Sequence, residues 1–377
     1  MSILINKYLE ILLKILGFWH KGSNSLGPAI MMSTLITTFP FQCWKAYSML
    51  NNPLLLMDIL SDILAELLIF IKFFAMWAKK KEIEELLGQI DRDWSKDGIP
   101  SEWKKNAHLC NIFCKFDLAL YLGAVIFYYP DIINKYLNMP IENRLMMLQS
   151  QYPFAYQASP TYELLNLLQI IQAWLVIFVD TLSKSLLVAY ILHVSARIHL
   201  LKNLLEEYSE SCMDYSKYES VTSNNLRHVI QEHLNILLLV RKVDSIYSYV
   251  CLFQIAFSSI IICVTGFVVV TALESADFLL MVKFVLFILA MLWQAFTFCM
   301  IGQYLCNKGE SIVNMLYDSY WYRSNPRQIK SMIVILATAQ KPLILRGGNI
   351  FEISISTFAQ IVKSSFSYLS VLRAAYD

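Results

Sequence analysis

The chain has 377 residues, of which 57% are hydrophobic and 16% are charged, and its mean hydropathy is +0.49. Soluble domains are about 45–50% apolar and about 25% charged, so this composition excludes an ordinary soluble protein and predicts a polytopic membrane protein. The formal net charge of +2 is too small to indicate a nucleic-acid partner.

The chain begins with an amphipathic segment, residues 1–28. Leu9 and Leu12 recur there at helical spacing, whereas Lys7 and Lys14 interrupt the apolar run before the core of a signal peptide can form. We interpret the segment as a cytoplasmic helix that lies at the membrane surface. A soluble cap helix is the alternative interpretation.

Seven windows are long enough to cross the hydrocarbon core of a bilayer, which takes roughly 20 residues. Six of them are strongly apolar: 29–49, 54–77, 116–136, 165–194, 246–272 and 279–305. The last window, residues 350–376, is more polar because Ser, Lys and Arg recur in it, but as a helix it still spans ~40 Å. The sequence therefore predicts an all-α membrane protein with seven transmembrane helices.

The distribution of Lys and Arg predicts the orientation of these spans. Both residue types are concentrated in the segments after the second, fourth and sixth windows, and the segments on the other side are nearly free of them. By the positive-inside rule the N-terminus is cytoplasmic, so a seventh span places the C-terminus outside the cell. The predicted outer segments contain no cysteine, so no extracellular disulfide is expected.

The apolar pattern of the fourth, fifth and sixth windows continues into flanking segments that also carry Arg, Lys and Glu. These patterns predict helices that extend into the cytoplasm and pack there as an anchor bundle. Long amphipathic linkers on the inner leaflet are the alternative. In this organisation, residues 29–308 hold spans one to six with the ligand pocket, residues 309–348 hold cytoplasmic anchor helices, and residues 349–377 hold the pore-lining seventh span.

Enzyme motifs are missing from the sequence, which has no Gly-rich phosphate loop, no HExxH and no GxSxG. Cys110 and Cys114 lie one helical turn apart, but no second Cys pair or His cluster completes a zinc site. Two packed thiols are therefore predicted, and we expect no catalytic residue, no metal and no cofactor.

The C-terminal part of the chain carries a specific set of residues. It contains a Tyr-x-x-x-Trp-Tyr group, an Ala-Gln-Lys-Pro stretch, a Gly turn and a Ser-Phe-Ser-Tyr run, and the N-terminal segment contains LGFWH. Together these features resemble the signature of insect odorant receptors. The resemblance assigns five residues to the anchor region and its interfaces: Tyr317, Trp321, Tyr322, Gln340 and Pro342.

The resemblance implies an odorant-gated, non-selective cation channel in the plasma membrane of sensory-neuron dendrites. In that family a ligand-tuning subunit assembles with a shared co-receptor as a tetramer around a central pore. The related gustatory receptors usually end in a Gln-Phe pair that is missing after Ser367-Tyr368, and the co-receptor is typically longer between spans four and five. A gustatory-type channel, a G-protein-coupled receptor and a secondary transporter are the alternatives, although no internal repeat supports the transporter.

The resemblance also implies that the last helix lines the pore. The predicted pore face is polar or small: Lys363, Ser367, Val371 and Ala375. The opposite face is apolar and suits neighbouring helices: Phe358, Ile361, Leu369 and Leu372. A charge at the bilayer centre costs ~2.5–3.5 kcal/mol, so Lys363 has to face water or a partner. Matching the family pattern places the gate at Val371 and Ala375, and Val371 suits a gate that closes by dewetting.

The family's ligand pocket lies in the outer half of the membrane, among spans two, three, four and six. The pocket residues predicted here are Leu120, Gly123, Phe127, Gln172, Ala173, Val176, Phe284, Phe287 and Met291, with Gln169 as a second amide. An apolar cavity with one or two amides suits a small volatile of low polarity; ordinary helix packing is the alternative for each residue. Asp180 is predicted to pair with Lys184 one turn on, or to belong to an internal polar network, and receives no ligand role.

Overall fold

The computed structural model describes residues 4–5, 7–19, 26–95, 99–138, 146–154, 156–213, 219–274 and 278–376. Within these ranges, side chains are described except at residues 26–27, 35, 124–138, 219–220, 274, 278–280 and 375–376. The predicted pocket residue Phe127 and the predicted gate residue Ala375 therefore have side chains outside the described part of the structure.

The fold is a helical bundle, which confirms the predicted all-α class. In the described ranges the α helices are α1 (Lys7–Ile15), α2 (Leu26–Ser48), α3 (Pro53–Ala78), α4 (Lys80–Trp94), α5 (Ser101–Asn138), α6 (Thr161–Met213), α7 (Glu219–Glu274), α8 (Phe278–Asp318), α9 (Pro326–Ala339) and α10 (Ile355–Tyr376). A 3₁₀ turn, Trp321–Arg323, connects α8 to α9. Strands β1 (Arg346–Gly347) and β2 (Phe351–Glu352) form an antiparallel hairpin before α10.

Three segments of the described residues are long and apolar enough to cross a membrane: Thr161–Met213, Val221–Leu273 and Met281–Arg323. They correspond to α6, α7 and α8. The other four predicted windows overlap α2, α3, α5 and α10. Helix α3 differs from these three in carrying several charged residues along an apolar sequence: Asp58, Asp62, Glu66 and Lys72.

Helix α7 lies at the centre of the bundle, where it packs against α3, α6, α8 and α10. Helix α6 is buried along most of its length, and its apolar residues join one core that reaches from α1 to α10. The apolar face of α1 packs on α6. Phe18 follows in a turn at Gly17, whose φ is +80°, and its ring meets Trp77 edge-on at 5.5 Å. The N-terminal segment is thereby joined to α3 and α6.

The hairpin before α10 is fixed to α7 by backbone contacts. The Gly348 N–H donates to Ser248 O (3.0 Å), and the Arg346 N–H donates to Asp244 Oδ1 (2.7 Å). Gly348 has φ of +58°, a conformation that favours glycine. Gly302 of α8 allows a second close approach, because a Cβ there would overlap Ile353 O. The predicted boundary at residue 308 lies inside α8, and the predicted 349–377 segment begins within this hairpin.

The bundle has two ends that differ in their covering segments. Residues 146–154 and 156–160 lie where α3 and α6 begin, since Gln149 Nε2 donates to Asp58 Oδ2 (2.8 Å) near the start of α3. We call this the loop end. Helix α4 follows the other end of α3 and packs on α7, as does α9. We call this the anchor end.

Candidate ligand site and pore helix

Two amide side chains of α6 hold the segment that covers the loop end. Asn166 Oδ1 accepts from the Met147 N–H (3.2 Å), and Gln169 both accepts from the Leu148 N–H (2.9 Å) and donates to Leu148 O (3.1 Å). The Gln169 amide, predicted to lie in the pocket, therefore satisfies the backbone of this segment. Nothing in the sequence links Gln169 to Leu148, because the two residues meet only through the path of the chain between α5 and α6.

An aromatic cluster joins this segment to α2. The Tyr152 ring is 4.5 Å from Phe41 of α2, 5.5 Å from Phe154 and 5.6 Å from Tyr156, measured between ring centroids. Tyr152 is buried, and Met146 and Tyr162 complete its apolar surroundings. We use "aromatic cluster" for Phe41, Tyr152, Phe154 and Tyr156. It closes the loop end between α2 and α6.

The side of α3 near the loop end carries three carboxylates on successive turns. Asp58 Oδ1 lies 3.4 Å from Lys283 Nζ of α8. Asp62 lies within electrostatic range of Asp58, Lys283 and Glu66. We call Asp58, Asp62, Glu66 and Lys283 the acidic cluster. With every group charged, it carries two negative charges more than positive ones.

Glu66 is the deepest member of this cluster and is only 6% exposed. Its Oε1 accepts from Gln42 Nε2 (2.9 Å), but its Oε2 is buried without a hydrogen-bond partner. Gln172 of α6, which is 2% exposed, lies beside the Glu66 carboxylate, yet neither of its amide atoms meets hydrogen-bond geometry. The predicted pocket residue Gln172 therefore faces a buried acid that the sequence analysis missed.

The structure places the other predicted pocket residues in two settings. Phe284 and Met291 of α8 are buried, and Phe287 and Met291 pack with Leu68 of α3 and Ile261 of α7. Val176 of α6 is partly buried against the main core, and Ala173 is also partly buried. On α5, Leu120 is exposed and a Cβ at Gly123 would meet open space. Leu120 and Gly123 of α5 thus lie in a more open setting than the predicted pocket residues on α6 and α8.

A second polar cluster lies deeper along α3 and α6. Lys72 Nζ is 2.6 Å from Asp180 Oδ1, and Lys184 Nζ is 2.9 Å from Asp180 Oδ2 and 2.7 Å from Asp117 Oδ1. Both lysine side chains are 0% exposed. The predicted Asp180–Lys184 pair is confirmed. We call Lys72, Asp117, Asp180 and Lys184 the paired cluster; its positive and negative charges balance.

Hydrogen bonds extend from the paired cluster towards α7. The Tyr121 hydroxyl donates to Asp180 and accepts from Gln294 Nε2 of α8 (3.1 Å). Gln254 Nε2 of α7 lies 3.4 Å from Gln294 Oε1 and 2.7 Å from Ser258 Oγ. Charged and amide groups from five helices, α3, α5, α6, α7 and α8, are thereby joined inside the bundle.

Helix α10 packs on α7 and α8 through one face only. The Ser365 hydroxyl donates to Ser259 O of α7 (3.2 Å), and the Phe358 ring lies 5.5 Å from Phe296 of α8. Leu369 lies against α7, where a Cβ at Gly266 would come within 3.1 Å of it. These contacts are made by the side of α10 that was predicted to face neighbouring helices.

The other face of α10 is exposed in the single chain. Lys363 and Ser367 are exposed, and Val371 is 68% exposed. The Ser367 hydroxyl donates to Lys363 O within the helix (3.0 Å), so it offers no contact to α7 or α8. An apolar Val371 thus lies on a surface that the chain itself does not cover.

The predicted anchor residues lie around α8 and α9. Trp321 packs against the main core, whereas Tyr317 and Tyr322 are exposed. The Gln340 N–H caps α9 by donating to Leu336 O (3.1 Å), and Pro342 is exposed just beyond it. In the part of the chain that the structure describes, no group of three or more His, Cys, Asp or Glu side chains is placed to hold a metal ion.

Comparison with known proteins gives consistent matches. A family model described as 7tm odorant receptor matches residues 52–366. Odorant receptor 85b of Drosophila melanogaster is 23% identical over 316 residues, covering 81% of this chain and 78% of the relative. Odorant receptor 13a of the same fly is 25% identical over 171 residues, covering 42% of this chain and 40% of the relative.

Solved structures give the same result for the fold. The structure of the insect olfactory receptor OR5 from Machilis hrabei in complex with eugenol is similar to this chain with a TM-score of 0.78. The two chains are 16% identical, and the match covers 98% of this chain and 97% of the other. A second structure of that receptor matches with a TM-score of 0.73. At this level of identity, the similarity shows a shared fold.

Proposed function

The chain belongs to the insect odorant receptor family, and on this premise we propose that it is the ligand-tuning subunit of an odorant-gated, non-selective cation channel. Membership points to a receptor or channel rather than an enzyme. The observation that carries the proposal is helix α10, which packs on the bundle through one face and exposes Lys363, Ser367 and Val371 on the other. A helix that packs on its own subunit through one face and exposes polar side chains on another suits the wall of a pore.

We propose that α2, α3, α5, α6, α7, α8 and α10 span the membrane. The Lys and Arg distribution supports a cytoplasmic N-terminus and anchor end, with the loop end and the C-terminus outside. On this basis residues 1–28 form a cytoplasmic segment, residues 29–308 the first six spans, residues 309–348 the anchor and residues 349–377 the pore segment. The exposed aromatic residues Tyr317 and Tyr322 would then contact neighbouring subunits.

In the proposed tetramer, with the co-receptor as partner, the exposed faces of four α10 helices surround the cation path. Lys363 then faces water, as a charge in a membrane requires. Val371, with Ala375 one turn on, forms the hydrophobic constriction. Trp321, Gln340 and Pro342 support the assembly from the anchor end. The complex is expected in the plasma membrane of sensory-neuron dendrites.

The ligand is proposed to bind in the half of the bundle near the loop end. The structurally similar receptor from Machilis hrabei was solved in complex with eugenol, which supports a small-molecule ligand for this chain. Gln172, Ala173 and Val176 of α6 would form one wall. The opposing wall would come from Phe284, Phe287 and Met291 of α8, with Leu120, Gly123 and Phe127 of α5 at its side.

The test is electrophysiological. Cells that express the chain with the co-receptor should pass cation currents when a panel of volatiles is applied, and cells that lack either subunit should not. A tag at the C-terminus should be accessible to antibody in intact cells. A tag accessible only after permeabilisation would contradict the proposed topology and favour a G-protein-coupled receptor.

Val371→Ala tests the gate. Removing two methyl groups from each contributing subunit widens and wets the constriction, so we expect basal current to rise several-fold or ion selectivity to change. Val362→Ala is the matched control, because Val362 is partly buried on the same helix and is not on the proposed pore face. Equal conduction by the wild-type chain and both variants would exclude Val371 as the gate.

A further inference from the structure

We propose that the loop-end site selects ligands that carry a protonated amine, with Glu66 as the group that accepts the ammonium. The inference deepens the proposed function and rests on it, because it names the class of ligand that opens the channel. It differs from the prediction made from the sequence, which favours a ligand of low polarity. Three independent features of the described residues support it.

The first feature is the excess of negative charge. Three carboxylates follow one another along α3, and the ion pair found in this cluster is that of Asp58 with Lys283. The groups beside Glu66 are the amides of Gln42 and Gln172 and the carboxylate of Asp62. Burying a charged carboxylate without a cation is costly, and a buried acid otherwise avoids that cost by binding a proton. A ligand that brings a positive charge to Glu66 stabilises the carboxylate form, whereas a neutral ligand does not.

The second feature is a set of buried acceptors that lack donors. Glu66 Oε2, Gln42 Oε1 and both amide atoms of Gln172, Oε1 and Nε2, are all buried without a hydrogen-bond partner in the described structure. Buried polar atoms are nearly always hydrogen-bonded, so three such oxygens around one carboxylate need an explanation. An ammonium group offers three N–H donors and no acceptor. Its three donors are therefore enough for these three oxygens, whereas Gln172 Nε2, itself a donor, gains no partner from it.

The third feature is the aromatic cluster, which lies on the side of Glu66 towards the loop end. Tyr152 is within electrostatic range of Glu66, and Phe41 of α2 packs on the Tyr152 ring. Aromatic faces attract cations, and aromatic cages recognise quaternary ammonium ligands in this way. The same rings provide an apolar surface for the hydrocarbon body of the ligand.

Two other classes of ligand fit less well. An alcohol supplies one donor, so it would leave two of the three acceptors unpaired and the carboxylate without a cation. A divalent metal ion is disfavoured because, among the described residues, no group of three or more metal-ligating side chains is suitably placed. The arrangement thus favours an organic cation with a small apolar body.

The experiment compares 2-phenylethylamine with 2-phenylethanol, which differ in the polar group alone. Dose–response curves are recorded from cells that express the full chain with the co-receptor. We expect the amine to activate at a concentration about tenfold or more lower than the alcohol, since a buried ionic hydrogen bond is stronger than a neutral one. Glu66→Gln should raise the half-maximal concentration of the amine about tenfold and change that of the alcohol little.

Glu84→Gln is the control, because Glu84 lies on α4 at the anchor end and pairs with Lys80 on its own helix. Surface labelling of every variant separates binding from expression. If Glu66→Gln does not reach the cell surface, Glu66→Asp, which keeps the negative charge, is measured instead. The wild-type ratio of the half-maximal concentrations of amine and alcohol then still tests the proposal. An alcohol as potent as the amine, or a receptor at the surface that responds to neither probe, would overturn the amine assignment. The channel proposal would stand or fall separately, on the volatile panel.

Discussion

The two polar clusters of the bundle share a helix but differ in how their charges are satisfied. In the paired cluster, two lysines meet two aspartates, and apart from Asp117 Oδ2 the carboxylate oxygens accept hydrogen bonds. In the acidic cluster, three carboxylates share Lys283, and the deepest one keeps an oxygen without a donor. Each cluster thus keeps one buried carboxylate oxygen without a donor, but two lysines serve two carboxylates in the paired cluster and one lysine serves three in the acidic cluster. The difference teaches that a shortage of cations, rather than buried charge alone, marks a candidate ligand site.

The charge partners in each cluster are determined by which helices pack against each other there. Lys72 of α3 pairs with Asp180 of α6, and Lys184 of α6 pairs with Asp117 of α5. The paired cluster therefore links three helices. Glu66 accepts a hydrogen bond from the Gln42 amide and lies beside the Gln172 amide and the Asp62 carboxylate, so none of these neighbours is a cation. We therefore expect the paired cluster to hold the fold and the acidic cluster to be available for binding.

The largest expected effect comes from breaking the paired cluster. Lys184→Met leaves Asp117 without a cation inside the bundle and leaves Asp180 paired with Lys72 alone. Removing one partner of a buried pair typically costs about 3–5 kcal/mol. We expect a strong fall in surface expression and in the thermal midpoint of the detergent-purified protein. The midpoint is measured by fluorescence-detected gel filtration after heating.

The control for that substitution lies on the same helix. Lys202→Met removes an exposed ion pair with Glu206, in which the charged atoms are 3.7 Å apart, and such pairs contribute about 0–1 kcal/mol. Its midpoint should match that of the wild type. Similar midpoints for Lys184→Met and Lys202→Met would show that the paired cluster does not stabilise the fold.

Substituting two buried glutamines by leucine should change stability by intermediate amounts and in opposite directions. Gln172→Leu removes an amide that is buried without hydrogen bonds, so we expect stability to stay level or to rise by up to about 1–3 kcal/mol. Gln294→Leu removes an amide that bridges Tyr121 and Gln254, and we expect a loss of about 1–2 kcal/mol. The thermal midpoints of the two variants, each compared with that of the wild type, test both expected changes. A lower midpoint for Gln172→Leu would mean that its amide has a structural partner.

Much of the fold could be predicted from the sequence because apolar windows and helical spacing are local properties. The packed side of α10 was predicted from spacing that brings Phe358, Ile361 and Leu369 to one face, and Ile361 is buried. The Asp180–Lys184 pair was predicted for the same reason, since one helical turn separates the two residues.

The partners of these groups could not be predicted, because they depend on the rotation and register of separate helices. Lys72 meets Asp180, and Gln172 faces Glu66, only after α3 and α6 have packed. A signal did exist in the spacing of Asp58, Asp62 and Glu66, which lie at intervals of one turn along an otherwise apolar helix. Charges repeated in this way on a membrane helix indicate a functional site.

The smallest expected effect tests whether Lys283 balances the acidic cluster. The Lys283 side chain is 33% exposed and its Nζ lies 3.4 Å from Asp58, a buried carboxylate that also accepts from Gln149, so Lys283→Met should cost about 1 kcal/mol, less than Lys184→Met. The same substitution makes the cluster more negative, and we therefore expect the half-maximal concentration of 2-phenylethylamine to fall a few-fold while that of 2-phenylethanol stays constant. Lys308→Met on the anchor end of the same helix is the matched control. A rise in the amine concentration would mean that Lys283 orients the carboxylates for binding rather than competing with the ligand for them.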